Sequence, residues 1–443
     1  MVLGNTRAAR RARRGHGLIA VATNGRLSRF LERPPSANSR ERPRLERSAN
    51  GRTERRPSVL LVSSFVLPHA GGVEQFVDTA KELFGARGLS VRVLSCRPPT
   101  GPSDADATVP TRYLPPGGWP LPVGGLRTLW REVERADSVV ANGARHLLPC
   151  LASFVARIRR KRVLFVLHGS AAPFSSSSFL YHRVLGSIFE WLLARPALRL
   201  SKPVSLSRAG VTGAHRRYGV APTYVPYPLR ELPTPTTRRS LEPDEPLEIV
   251  WVGRLYREKA PLRAVAVVER IRRHREARLE LYGDGVLADE LEFLAADRPW
   301  LAVRGADSWH RIQEVQEAAH ICLSTSLRDA TQIGILEPLA RGIPVVSTRV
   351  GDAPHHYVAP ALRRFCVEPG DDAAAAAAIL ELAASYTRYR SEFVANGRRL
   401  RTRHRAGRDL LAALVEEAVR PRTTRPALGA AAGFRSAERI LVP

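Results

Sequence analysis

Glu248-Ile-Val-Trp-Val-Gly-Arg-Leu-Tyr-Arg-Glu-Lys259 settles the architecture of this chain. The apolar run to Val252 has strand length and no polar alternation, the pattern of a strand buried on both faces of a parallel sheet. Gly253 ends the run, and Arg254 and Lys259 follow on a loop that opens a helix near Ala260. Ligands of open α/β sheets bind beyond the carboxyl ends of the strands. Two cations at such an end form a candidate anion site, arginine gripping phosphate with a planar fork and lysine adding a point charge. The same strand-then-loop order returns downstream, at 278–282 before Gly283-Asp284-Gly285, at 321–324 before Asp329, and at 343–347.

Asp329 and Glu337 stand eight positions apart. Glu337 reads as the first residue of a helical run, Glu337-Pro-Leu-Ala-Arg341, stopped by Gly342. A carboxylate in a first turn is held ionised by the helix dipole and, as a pure acceptor, suits the two hydroxyls of a ribose. The alternative is a plain capping acid. Gly283-Asp284-Gly285 reads as a tight turn against the base or ribose. Cations at one end and carboxylates at the other outline a pocket for a nucleotide sugar.

Toward the N-terminus the order begins at Ser58, with a strand over 58–64, a turn at Pro68 and Gly71-Gly72, and a helix that stops at Gly88. A strand over 90–95 completes a β-loop-α-β unit, the opening of a doubly wound sheet. Gly71-Gly72 before a helix N-terminus is a ready anion site, or simply a turn. Further strands are predicted at 138–141, 162–167 and 203–207, with helices over 147–158 and 190–200. His168 ends the 162–167 strand at the carboxyl edge, as a site residue or a structural one. The stretch 226–246, rich in proline, reads as a linker. The divisions are a basic, disordered extension over 1–56, an N-terminal domain over 57–228, a linker over 229–246, a second domain over 247–395, a final helix over 396–420 and a basic tail over 421–443.

The chain has 443 residues and a net charge of +27, which favours anionic partners such as nucleic acid, anionic membrane or phosphorylated substrates. Four scattered cysteines, Cys96, Cys150, Cys322 and Cys366, form neither a zinc nor a disulfide pattern and read as buried thiols. No apolar run approaches the roughly 20 residues of a membrane span. The arginines lack interleaved aromatics and no nucleic-acid-binding motif occurs, so a basic nucleic-acid-binding protein is the weaker alternative.

Taken together, Gly71-Gly72-Val-Glu74, His168-Gly169, Val252-Gly-Arg-Leu255 with Glu258-Lys259, Gly283-Asp-Gly285, Ser326-x-x-Asp329, Leu336-Glu-Pro-Leu-Ala340 and Gly342-Ile-Pro-Val-Val346 resemble the glycosyltransferase group 1 domain of retaining glycosyltransferase family 4. The resemblance implies the GT-B architecture: two Rossmann-like, doubly wound α/β domains facing across a cleft, with a last helix crossing back. It implies an NDP-sugar donor, a glycan or lipid-linked acceptor, no cofactor and no essential metal. Carried over by position, His168, Asp329, Arg254 and Lys259 would be catalytic. Gly71, Gly72, Gly253, Gly283, Asp284, Ile333, Gly334, Ile335 and Glu337 would line the donor site with them, Glu337 on the ribose. Asp329 replaces the family's glutamate, Pro226-Tyr227-Pro228 its Asn-Gly, and His355 the glutamate of its Gly-Gly-x-x-Glu. An epimerase or hydrolase on the same architecture stays open, since fold does not fix reaction. A cytoplasmic enzyme is expected, resting on the inner face of an anionic membrane through Arg157-Ile-Arg-Arg-Lys-Arg162. The acceptor side would lie around 119–130 and 174–181.

Overall fold

The computed structural model describes residues 55–66, 71–99, 101–114, 119–169, 180–232 and 240–420. The extension up to residue 54, Pro68, the acceptor-side residues 174–179, linker residues 233–239 and the tail from 421 lie outside the described residues.

Strands β1 (Ser58–Ser63), β2 (Ser90–Cys96) and β3 (Ala107–Val109) open the first domain, followed by β4 (Thr111–Leu114) and β5 (Trp119–Pro122), which pair as an antiparallel hairpin. β6 (Ser138–Asn142), β7 (Arg162–Leu167), β8 (Lys202–Ser205) and β9 (Thr223–Tyr224) complete a seven-stranded parallel sheet of order β3-β2-β1-β6-β7-β8-β9. The second domain carries β10 (Leu247–Val252), β11 (Ala277–Tyr282), β12 (Leu301–Gly305), β13 (Ile321–Ser324), β14 (Val345–Thr348) and β15 (Cys366–Val367), ordered β12-β11-β10-β13-β14-β15. Both are Rossmann-like. Their strand order reverses between β1 and β6 and between β10 and β13, and at such reversals the adjoining loops part to leave a crevice.

The sheets form because their strands are apolar on both faces. In β1, Val59 and Leu61 join one core while Leu60 and Val62 join the other, so the run could not alternate with polar residues. The first of these cores continues through Tyr227 and Leu229 into the second domain. All four cysteines are free and buried. Among the described residues no helix is long and apolar enough to cross a membrane.

The segment expected to be helical over 190–200 is longer. It runs from Leu180 to Arg199, with a π-helical turn over Glu190–Ala194 just before Pro196. Proline has no N–H to give the turn before it, and widening that turn accommodates the loss. The last helix is one piece of 34 residues, Tyr386–Val419, beginning before the predicted 396. At 1.5 Å per residue it is about 50 Å long, enough to lie across both domains. Phe393 and Leu400 share a core with the second domain, and Glu417 meets Lys202 and accepts from Arg162 in the first. Midway, His404 Nδ1–H donates to the Tyr227 carbonyl at 2.6 Å.

Two glycines set how closely this helix lies. A Cβ at Gly397 would stand 2.8 Å from Gly342 N and from Leu339 O, and one at Gly407 would stand 2.4 Å from Pro226 O. Alanine normally gains helix stability over glycine, but here it meets backbone that cannot move aside. Gly397→Ala and Gly407→Ala are each expected to destabilise by about 1–3 kcal/mol in urea denaturation. Gly85→Ala, with open space around its Cβ, should hold or gain up to about 1 kcal/mol. Equal effects at all three positions would refute the packing account.

Candidate functional site

The crevice at the β10–β13 reversal is built by backbone first. Gly253 N donates to Tyr282 O and Leu255 N to Asp284 O, so the loops after β10 and β11 lie against each other. Gly283 has φ +145, and a Cβ there would stand 1.8 Å from Gly253 O, so only glycine fits. Asp284 thereby packs its loop under the Arg254 loop.

The two cations have different partners. Lys259 pairs with Asp329 across the crevice, both mostly buried. Arg254 is exposed, with its guanidinium 5.4 Å from the centre of the Tyr256 ring and 3.8 Å from Glu258. The acid expected at the sugar end therefore touches a cation expected at the phosphate end. Asp329 also accepts from the Ala330 amide at 2.7 Å, which fixes its loop.

Glu337 lies elsewhere than the sequence suggests. Its helix, Ile333–Arg341, begins four residues earlier, so Glu337 is mid-helix and outside the reach of the terminal dipole. The pattern misled because an acid followed by proline resembles a helix start, whereas Pro338 sits inside the helix. Burial pushes the Glu337 carboxyl up, opposed by hydrogen bonds from Trp309 Nε1 at 3.2 Å and Gln313 Nε2 at 3.0 Å. Each oxygen keeps a further lone pair for a hydroxyl. Ile333, Gly334 and Ile335 form the first turn of this helix, with Gly334 held near Val252 O.

Four helix N-termini reach the cleft: Gly72–Ala86, Arg208–Tyr218, Pro261–Ile271 and Ile333–Arg341. Three have no side-chain cap. The fourth is closed twice over, by Ser207 Oγ accepting from Gly210 N and by Asp352, whose carboxylate accepts from the Arg208 and Ala209 amides across the domain boundary. Asp352 was read in the sequence only as part of the altered Gly-Gly-x-x-Glu, Gly351-Asp352-Ala-Pro-His355, and not as a cap, although the glycine before it, at φ +56, marks a forced turn. Ala260 and Gln332, which precede two of the uncapped helices, both take φ +51. Left-handed non-glycine residues cost energy and gather at functional sites.

The first domain contributes contacts as close as packing allows. A Cβ at Gly72 would stand 2.6 Å from Ile333 Cδ1, and one at Gly169 would stand 2.1 Å from the Ala330 side chain. Gly71 is the N-cap of the first helix, beside the Glu74 carboxylate. His168 directly follows β7, with its ring edge-on to Phe76 at 5.1 Å. Asn142 Nδ2 donates to Ser63 Oγ, so its Oδ1 faces His168 and accepts from Nε2–H. His168 is thus a neutral donor held by a fixed amide. Among the described residues no three His, Cys, Asp or Glu side chains gather as metal ligands would.

Comparison with known proteins follows the same two halves. Residues 70–228 match the family model "Glycosyltransferase Family 4" and residues 246–385 match "Glycosyl transferases group 1". A relative from Arabidopsis thaliana, one component of phosphatidylinositol N-acetylglucosaminyltransferase, is 27% identical over 320 residues, covering 67% of this chain and 68% of its own. Sucrose-phosphate synthase from Thermosynechococcus elongatus superposes with TM-score 0.59 at 18% identity, over 82% of this chain and 99% of its own. Anabaena HepE in complex with UDP-glucose superposes with TM-score 0.57 at 14% identity, over 81% and 99%. The architecture is GT-B.

Four histidines in and around the cleft are held neutral by burial: His146, His356 and His404 are lowered to about 4 and His168 to about 3. The unfolded chain takes up these protons near pH 6.5, while the folded chain resists them. Stability is therefore whole above about pH 6.5 and drains as pH falls toward 4, by about 1.4 kcal/mol per unit for each ring. Urea midpoints should drop between about pH 7.5 and about pH 5, and less steeply in His404→Gln. A flat profile over that range would contradict the assignment.

Proposed function

The chain belongs to the glycosyltransferases of group 1 and family 4, and from that premise we propose that it moves a sugar from a nucleoside-diphosphate donor to an acceptor hydroxyl, with retention at the anomeric carbon. One observation carries the reading: two uncapped helix N-termini, Pro261–Ile271 and Ile333–Arg341, meet at the strand-order reversal beside Lys259 and Arg254. Helix N-termini favour anions, and diphosphate gathers charge as its bond to the sugar breaks. Donors already in place there stabilise the transition state beyond the ground state. Glu337 takes the ribose hydroxyls, and Asp329 and His168 flank the transferred sugar.

Retention fits the side chains present. Asp329 is tied to Lys259 and His168 is spent as a donor to Asn142, so neither is poised as a nucleophile. The acceptor hydroxyl attacks from the face that the diphosphate leaves, and a donor phosphate oxygen receives its proton. One relative is a subunit of an N-acetylglucosaminyltransferase and a structural neighbour was solved in complex with UDP-glucose, which makes UDP-sugars the first donors to test.

Isothermal titration with UDP and a transfer assay test the proposal. Lys259→Ala and Arg254→Ala should each weaken UDP binding by about 2–3 kcal/mol, the worth of a charged hydrogen bond. Asp329→Asn frees Lys259, so UDP affinity should hold or tighten while turnover falls. Glu337→Gln should weaken the donor through its ribose. UDP affinity unchanged in both cation variants would move the donor site elsewhere.

A further inference from the structure

The helix from Leu180 to Arg199 carries a feature that sugar transfer does not use. Val184, Leu185, Ile188, Trp191 and Leu192 are between 48% and 66% exposed. At 100° per residue they fall within one arc of about 120°, a continuous apolar stripe on the outer side of the first domain. Single exposed apolar residues need no explanation, but a stripe rimmed by charge marks a contact surface.

Beside the stripe lies an open groove of about 550 Å³ between this helix and the Arg208–Tyr218 helix, lined by Trp191, Glu190, Arg195, Arg216, Arg217 and Tyr218. Its polar groups are incompletely satisfied. Among the described residues Tyr218 Oη, Arg195 Nε and Glu190 Oε1 are buried without hydrogen-bond partners, while Glu190 Oε2 accepts from Arg217. Buried polar atoms are ordinarily paired, so unpaired ones on residues that line a groove point to a ligand. Three guanidinium groups suit a phosphate, and the free Glu190 oxygen suits a hydroxyl carried with it. The π turn over Glu190–Ala194 sets both Glu190 and Trp191 at the groove, and such turns recur at functional sites.

We propose that this face docks on an anionic bilayer, with the stripe entering the lipid interface and the arginine groove seating the phosphate of a hydroxyl-bearing head group. Charge complementarity selects the occupant: an apolar stripe flanked by cations fits an anionic lipid surface better than a neutral one. The cations extend past the end of the helix, where Leu200 and Lys202 line a second groove with Arg157, Lys161 and Arg162. Those last residues, the sequence's own candidate contact, are in part spent within the fold, since Arg162 donates to Glu417 O and Arg159 pairs with Glu134.

Flotation of the full chain with vesicles of phosphatidylcholine, with or without phosphatidylglycerol, tests this surface. Binding should require phosphatidylglycerol and weaken about tenfold or more in Ile188→Glu with Trp191→Glu. Arg195→Gln with Arg216→Gln should weaken it roughly thirtyfold. UDP affinity should stay at the parent value in both, which separates a failure here from a failure of the donor site. An environment-sensitive dye at Ile188→Cys should shift to the blue on these vesicles. Vesicle binding that survives both double variants would assign it to the basic termini and overturn the proposal. So would glycerol phosphate binding the arginine groove as tightly as vesicles do while the dye stays unshifted, the mark of a soluble-anion site.

Discussion

The first amides of a helix have no partner within it, and at this cleft that constraint governs the rest. Four helices aim their N-termini at the same space. One is taken by Asp352 from the opposite domain, which ties the two halves together and removes that terminus from competition for ligand. The other three lack side-chain caps, and two follow residues in strained left-handed conformations. Helix N-termini without side-chain caps, edged by strained residues, are the features on which the proposed anion site rests. The GT-B fold supplies the termini, and one carboxylate decides which of them remain open.

Much of the fold was legible because parallel strands buried on both faces must be written as unbroken apolar runs. The Arg162–Leu167 and Ile321–Ser324 strands and the Leu147–Ile158 helix lie where the pattern puts them. The two-residue strands β9 and β15 carry too few residues for any period to show. The pairings within the candidate site were not legible. Lys259 with Asp329, and Asp352 with the Arg208–Tyr218 helix, are contacts between residues 70 and 144 positions apart, and no local spacing encodes them. Glu337 was placed at the wrong point of its helix, because a proline inside a helix imitates one at its start.

The arginine excess also has a structural share. Arg263 donates to Gly370 O, Arg272 to Ala277 O, Arg403 to His355 O and Arg408 to Leu229 O, each sealing a carbonyl in a loop or at the end of a strand or helix. A guanidinium reaches such carbonyls with several donors in a fixed plane, which an ammonium cannot do. Part of the charge is thus architectural, and only the remainder is available to partners.

The last helix is fastened at two glycines, Gly397 to the second domain and Gly407 to the segment at Pro226. Adding or removing one residue between them would rotate the far face by about 100° and carry it along the axis by about 1.5 Å. Neither anchor could then stay in register with the other. The segment between them is consequently closed to insertion and deletion, in a chain whose surface loops can vary in length. Divergence here has to proceed by substitution alone, which makes this interval a fixed ruler between the two domains.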